Sequence, residues 1–193
     1  MKKVLNVGGN SKAIPLPPQY AGFEHLLLDI DPTGNPDVLC DARELTKLDA
    51  EQFDMVYCSH NLEHYYRHDV PRVLNGFFNV LKTGGAVHII VPDLLEVMKK
   101  VVHNNMDIDD VLYQSGMGPI MVSDVIYGYS KQIEASGVEF FAHKTGFTKK
   151  SLVLALTKAG FKNIHVSEGG YSVTALASKS DFNQDISEIF GLK

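Results

Sequence analysis

The segment from Lys3 to Pro32 constrains this chain more than any other. A short apolar run, Val4-Leu5-Asn6-Val7, stops at Gly8-Gly9-Asn10, and a second run, His25-Leu26-Leu27-Leu28-Asp29-Ile30, closes on an acid. Brief apolar runs of this kind suit parallel strands covered on both faces. Glycine at the end of such a strand lets the backbone approach a ligand closely. Asp29 follows the glycines by about twenty positions, the spacing at which an acid ending the second strand accepts both hydroxyls of a ribose. A nucleoside site is expected there. Taken alone, the same pattern also describes an ordinary turn and strand cap, so the rest of the chain has to agree.

Between Gly9 and Glu24 stand Pro15, Pro17 and Pro18. Proline removes helical hydrogen bonds and extends the residue before it, so a loop rather than a crossover helix joins the first two strands. That costs the site a helix dipole and leaves more to the backbone N–H groups of Gly8 to Asn10. The turn-rich Asp29 to Pro36 leads to a short third strand, Asp37 to Cys40, expected at the sheet edge because five residues cannot form a full parallel crossover. Asp41 is placed to cap a helix beginning at Ala42. Phe53 to Cys58 reads as a fourth strand, followed by the polar stretch Ser59-His60-Asn61-Leu62-Glu63-His64-Tyr65-Tyr66. Val70, Val73, Leu74, Phe77, Phe78 and Leu81 recur at helical spacing, and Ala86 to Pro92 reads as a fifth strand. Alternating strands and helices specify α/β.

Beyond Pro92 the pattern loosens. A helix is expected over 94–102 and another over 107–114, within an insertion at about 93–146 read as a lid. Thr148 caps a helix whose apolar face is Leu152, Ala155, Leu156 and Ala159. Runs over 161–166 and 171–177 flank Glu168-Gly169-Gly170 as a hairpin. A tail at about 180–193, with Phe182, Ile186, Ile189 and Phe190, is expected to dock on a partner or on its own domain. The whole is read as one domain, 1–193.

With 193 residues, 45% of them apolar, the chain can bury a full core. A net charge of −5 without a basic cluster argues against nucleic acid. Met1-Lys2-Lys3-Val4-Leu5 opens like a signal peptide, but Asn6 and the glycines interrupt it. No stretch approaches the length of a membrane span. A cytoplasmic protein is expected, with Cys40 and Cys58 as reduced thiols.

In this order, six segments resemble the class I S-adenosylmethionine-dependent methyltransferases over most of the chain. They are Val4 to Gly9, Leu28 to Pro32, Asp41-Ala42, Phe53 to His60 with Leu62-Glu63-His64, Val80 to Gly85, and Gly146-Phe147-Thr148 with Leu152 and Ala159-Gly160-Phe161. The Ser-His-Asn-Leu-Glu-His run is similar to a reduced, type 11-like subgroup. The resemblance implies a Rossmann-like, mostly parallel sheet with a C-terminal antiparallel hairpin, shortened first crossovers and the lid. It implies S-adenosylmethionine as cofactor: Gly8, Gly9 and Asn10 against the methionine moiety, Asp29 and Ile30 at the ribose, Asp41 and Ala42 at the adenine, Ser59 and His60 beside the sulfonium. Asn10 and Lys12 stand where the family has glycines, and Asn6 where it has an acid.

Methyl transfer from a sulfonium is an in-line displacement, so a protein supplies alignment and exclusion of water, and for a hydroxyl acceptor a base. His143 and His60 are the candidate bases and Tyr127 a positioning hydroxyl; His64 is a further histidine, and Tyr65, Tyr66 and Tyr129 are aromatic candidates to face the cation. In the bland reading His143 anchors the insertion, and Glu63 and His64 tie the loop to the sheet. The acceptor is expected to be a small polar molecule such as a sugar or metabolite hydroxyl, and a homodimer is left open. Two rivals stand beside this. His60-Asn61-Leu62-Glu63-His64 matches the H-x-x-E-H pattern of a zinc peptidase family, yet it sits at a strand end, and no metal is expected. A methyltransferase fold that has lost its glycines could also act as a non-catalytic nucleoside-binding or interaction module.

Overall fold

The computed structural model describes residues 1–116 and 118–192. Its strands, in chain order, are β1 (Lys3–Val7), β2 (Glu24–Asp29), β3 (Val38–Leu39), β4 (Phe53–Ser59), β5 (Leu81–Pro92), β6 (Val111–Ser115), β7 (Gly118–Met121), β8 (Lys162–Gly169) and β9 (Ser172–Ser178). The helices are α1 (Val70–Val80), α2 (Leu94–Asn104), α3 (Val122–Tyr127), α4 (Ser130–Ser136), α5 (Lys149–Lys158) and α6 (Gln184–Ile189). Seven strands form one sheet in the order β3-β2-β1-β4-β5-β9-β8, parallel from β3 to β5 and antiparallel at β9 and β8. The strand order reverses direction at β1 and β4, and a crevice opens at the carboxyl ends of these strands.

Side chains alternate across the sheet as its period dictates. Leu5, Val7, Val56, Cys58, Val87, Ile89 and Val91 meet α1 and α5 through Val73, Leu74, Phe77, Leu152 and Leu156. The opposite face presents Val4, Met55, Ala86 and Leu176, which a crossover helix would ordinarily cover. Here the proline-rich segment does so with Leu16, Tyr20 and Phe23, joined by Phe182, Ile186 and Phe190 from the tail. The tail therefore docks on its own chain. Tyr20 is buried against His88, its hydroxyl 3.0 Å from His88 Nδ1, and burial lowers the His88 pKa to about 4.

As expected, the early crossovers are short. Only 3₁₀ turns occur at Pro18–Tyr20, Pro32–Gly34 and Ala42–Lys47, the last where a helix was anticipated. The helix expected over 107–114 is absent: Val111 to Ser115 form β6, paired antiparallel with β7. Leu112 points into a small core with Val97, Val122 and Val125 while Val111 and Tyr113 point outward, a period of two that favours the hairpin over a helix. This small core holds the insertion together above the crevice. Among the described residues, no helix is long and apolar enough to cross a membrane.

Candidate active site

Two residues of left-handed backbone, Gly8 at φ +71° and Asn10 at φ +61°, turn the chain out of β1. The Gly8 N–H donates to the Leu28 carbonyl at 2.8 Å and holds the turn against β2. A Cβ on Gly8 would lie 2.0 Å from Asn61 Nδ2, and one on Gly9 would lie 2.1 Å from Asn6 Nδ2. Both glycines are thus needed by the chain itself, which closes the two asparagines over the loop. Asp29, 8% exposed at the end of β2, accepts from Asn10 N at 2.9 Å and Asp31 N at 3.0 Å. These bonds fix the carboxylate at the wall of a cavity of about 230 Å³, also lined by Gly8, Asn10, Ile30, Asp31, Asp41 and His60. Of the segment 10–20, only Asn10 reaches that wall. A carboxylate has more lone pairs than the two used here, so a diol can still be received.

Asp41 is more committed. Its side chain caps the 3₁₀ turn through Arg43 N at 2.9 Å and pairs with the Arg43 guanidinium at 2.6 Å. Burial raises its pKa, but the bonds and charge of Arg43 outweigh this and hold it below the usual carboxylate range. Arg43 in turn reaches Asp69 at 3.3 Å. Ala42 is buried and Ser59 half-buried, and neither reaches the cavity; nor does Gly9. The far wall is Asn61, Tyr65, Tyr66, Phe140, Phe141 and Lys144. Of these, the phenylalanines and Lys144 arrive from the insertion, so no spacing in the sequence could have assigned them to the site. Four carboxylates (Asp29, Asp31, Asp41, Asp69) face two cations (Arg43, Lys144) around this cavity. That balance favours a cationic nucleoside over a phosphorylated one.

A second cavity, of about 290 Å³, opens on the other side of His60 and is lined by Tyr113, Asp124, Val125, Tyr129, His143 and Tyr171 among others. His60 belongs to both walls and is held at φ +48°. Tyr127 does not line either cavity; it is 59% exposed, and its carbonyl accepts from His143 N at 2.9 Å. Tyr129 lies in the cavity wall instead. Backbone bonds join the polar turn after β4 to the insertion: the Glu63 carbonyl accepts from Lys144 N at 2.8 Å and Thr145 N at 3.1 Å. His64 Nδ1 lies 3.1 Å from the Ala142 carbonyl. His143 Nδ1 lies 2.9 Å from the Val125 carbonyl, an oxygen that can only accept. The proton of the neutral ring is therefore on Nδ1, and the Nε2 lone pair points to Glu63 Oε1 at 3.9 Å. Burial lowers the His143 pKa, opposed by Glu63 and by the bond to Val125.

The donors and acceptors present fit S-adenosylmethionine. Asp29 suits its ribose hydroxyls, the acidic wall suits its positive charge, and Asn61 Oδ1 is a buried acceptor with no donor among the described residues, beside Gly8, where an ammonium would satisfy it. Residues 21–89 match the family model of a methyltransferase domain. No curated protein matches the chain significantly in sequence. Among solved structures, a SAM-dependent methyltransferase from Archaeoglobus fulgidus is similar at 17% identity and TM-score 0.58, over 92% of this chain and 86% of that one. A SAM-dependent methyltransferase from Methanosarcina mazei gives 18% identity and TM-score 0.58 over 92% of both chains. The Burkholderia thailandensis 1,6-didemethyltoxoflavin-N1-methyltransferase, solved with bound 1,6-didemethyltoxoflavin and S-adenosylhomocysteine, gives 16% identity and TM-score 0.53 over 93% of this chain and 72% of that one. Residues 21–89 thus match a methyltransferase-domain model, and the whole chain has the fold of the S-adenosylmethionine-dependent methyltransferases.

Proposed function

We propose that this protein methylates a hydroxyl of a small polar acceptor, such as a sugar or another metabolite. The observation that carries this reading is the pair of cavities that meet at His60, one walled by Asp29 and acids, the other by tyrosines and histidines. S-adenosylmethionine, when bound, supplies a sulfonium methyl group to a nucleophile in line with it. Asp29 receives the ribose hydroxyls, Gly8, Asn10 and Asn61 border the amino-acid end, and Tyr65 turns aromatic surface toward the charge, whereas the Tyr66 ring is taken by the Lys144 ammonium, 5.4 Å from its centroid, and by His68. Asp41, clamped by Arg43, keeps only a peripheral hold on the adenine. Phe140 and Phe141 cover the cavity and exclude water.

A hydroxyl acceptor has to lose its proton as the new bond forms. The imidazoles of His143 and His60 border the second cavity, and Glu63 beside them stabilises the imidazolium that results. The size of that cavity sits at the lower end of the range for small-molecule sites, and the acidic chain disfavours a polyanion. Methyl acceptance from labelled cofactor, scored over sugars, nucleotide sugars and metabolite alcohols, tests the proposal. Transfer to one compound, lost in His143→Ala while S-adenosylhomocysteine still binds, supports it. The closed Asp41–Arg43 pair favours a second reading, a nucleoside-binding module without catalysis. That reading prevails if the cofactor binds and no acceptor in the panel is methylated.

A further inference from the structure

The Glu63 side chain is 1% exposed, and neither of its oxygens has a hydrogen-bond donor among the described residues. A buried ionised carboxylate in that situation is strongly unfavourable unless a cation neutralises it. Its neighbours are imidazoles: His60 Nδ1 at 3.5 Å and His143 Nε2 at 3.9 Å. With the His143 proton held on Nδ1 by Val125, lone pair faces lone pair across that gap. His64 repeats the conflict. Its two ring nitrogens face the carbonyl oxygens of Ala142 at 3.1 Å and His60 at 3.2 Å, and a neutral ring has one N–H to give. Acceptors thus outnumber protons around a buried acid, and Glu63, His64 and His143 each bring one ligand atom within 4.8 Å of the others.

We propose that Glu63, His64 and His143 bind a divalent first-row transition ion of the zinc type. Two imidazoles and a carboxylate suit such an ion, whereas calcium and magnesium prefer oxygen ligands alone. Ligand atoms about 2.1 Å from a tetrahedral ion stand roughly 3.4 Å apart, so separations of up to 4.8 Å have to contract by up to about 1.4 Å. The bond from His143 Nδ1 to a backbone carbonyl is the outer contact that orients a metal-bound imidazole. Three protein ligands leave a coordination position open between the two cavities, since His143 lines the second and His64 the first. In a role that rests on the methyltransferase reading, the ion would polarise the acceptor hydroxyl and His60 would take its proton, while the oxygen forms the new O–CH₃ bond as the sulfonium's C–S bond breaks and its electron pair stays on sulfur, leaving neutral S-adenosylhomocysteine. His143 then acts as a ligand and His60 as the base.

The test titrates tag-free, chelator-stripped protein with zinc chloride by calorimetry, and with cobalt(II) chloride by visible absorption. One ion per chain is expected. Glu63→Gln and His143→Ala should each weaken it by more than about tenfold, while His103→Ala, at an exposed position on α2, should not. Glu63→Gln keeps the side-chain volume, and its metal-free thermal unfolding, no lower than that of the wild type, verifies the fold. Failure of the wild type to bind one ion, or undiminished binding by both variants, overturns the proposal. S-adenosylhomocysteine binding measured on the same samples separates the readings. Its persistence without a zinc site refutes the metal alone, and a zinc site without it refutes the ion's role in methyl transfer.

Discussion

Replacing Asp29 with alanine removes the acceptor of two backbone amides, Asn10 N at 2.9 Å and Asp31 N at 3.0 Å. A fully buried orphan amide costs about 1–3 kcal/mol, but Asn10 is exposed and Asp31 half-buried, so water recovers part, and a total loss near 1–2 kcal/mol of stability is expected. Ligand binding should suffer more. Two charge-assisted bonds to ribose hydroxyls, at about 1.5–3 kcal/mol each, predict a loss of roughly 3–6 kcal/mol, or about 10²- to 10⁴-fold in Kd. Calorimetric titration with S-adenosylhomocysteine reads the affinity, and thermal unfolding without ligand reads the stability. Asp29→Asn serves as the intermediate case, because its amide must turn an N–H₂ toward one of the same backbone donors. A folded alanine variant that binds S-adenosylhomocysteine within about threefold of the wild type would mean that Asp29 holds no sugar, and the nucleoside assignment would fail with it.

Acid should destabilise the protein through His88. Its folded pKa of about 4 lies below the unfolded value near 6.5, so the unfolded chain takes up the proton first. The contribution is intact above pH 6.5 and declines as pH falls toward 4, by about 3 kcal/mol in all. Urea unfolding of wild type and His88→Phe across that window should show the wild type losing more, with His143 adding to both in the same direction; parallel curves would refute the assignment. Gly8→Ala places a methyl group 2.0 Å from Asn61 Nδ2 at φ +71°, whereas Gly22→Ala, at φ +82°, meets nothing within 4 Å. The first should cost about 1–3 kcal/mol more than the second in chemical denaturation, and equal losses would show that Asn61 moves freely out of the way.

The core strands could be read directly because a strand buried on both faces leaves a run of apolar residues: Val4 to Val7, Leu26 to Leu28 and Val87 to Val91 lie where those runs stand. The absence of early crossover helices was equally legible, since proline forbids the helix wherever the chain later packs. The helix over 107–114 was misread because so short a run fits both periods, and the choice fell to Leu112, which finds its partners in Val97, Val122 and Val125. Asp29 was visible as a strand-ending acid, but not the Asn10 and Asp31 amides that aim it. Asp41 was read for the adenine without its partner, as nothing local says that the Arg43 guanidinium folds back on it.

The sequence by itself determined the strands of the main sheet, that the first connections are loops, and that an acid stands at the carboxyl end of the second strand, because each follows from local sterics and hydrophobic period. Only the tertiary structure decided that His143, some eighty positions along the chain, meets Glu63 and His64, and that His60 divides two cavities. Such contacts depend on the insertion packing back over the sheet, a matter of surface fit between distant segments that no local pattern encodes.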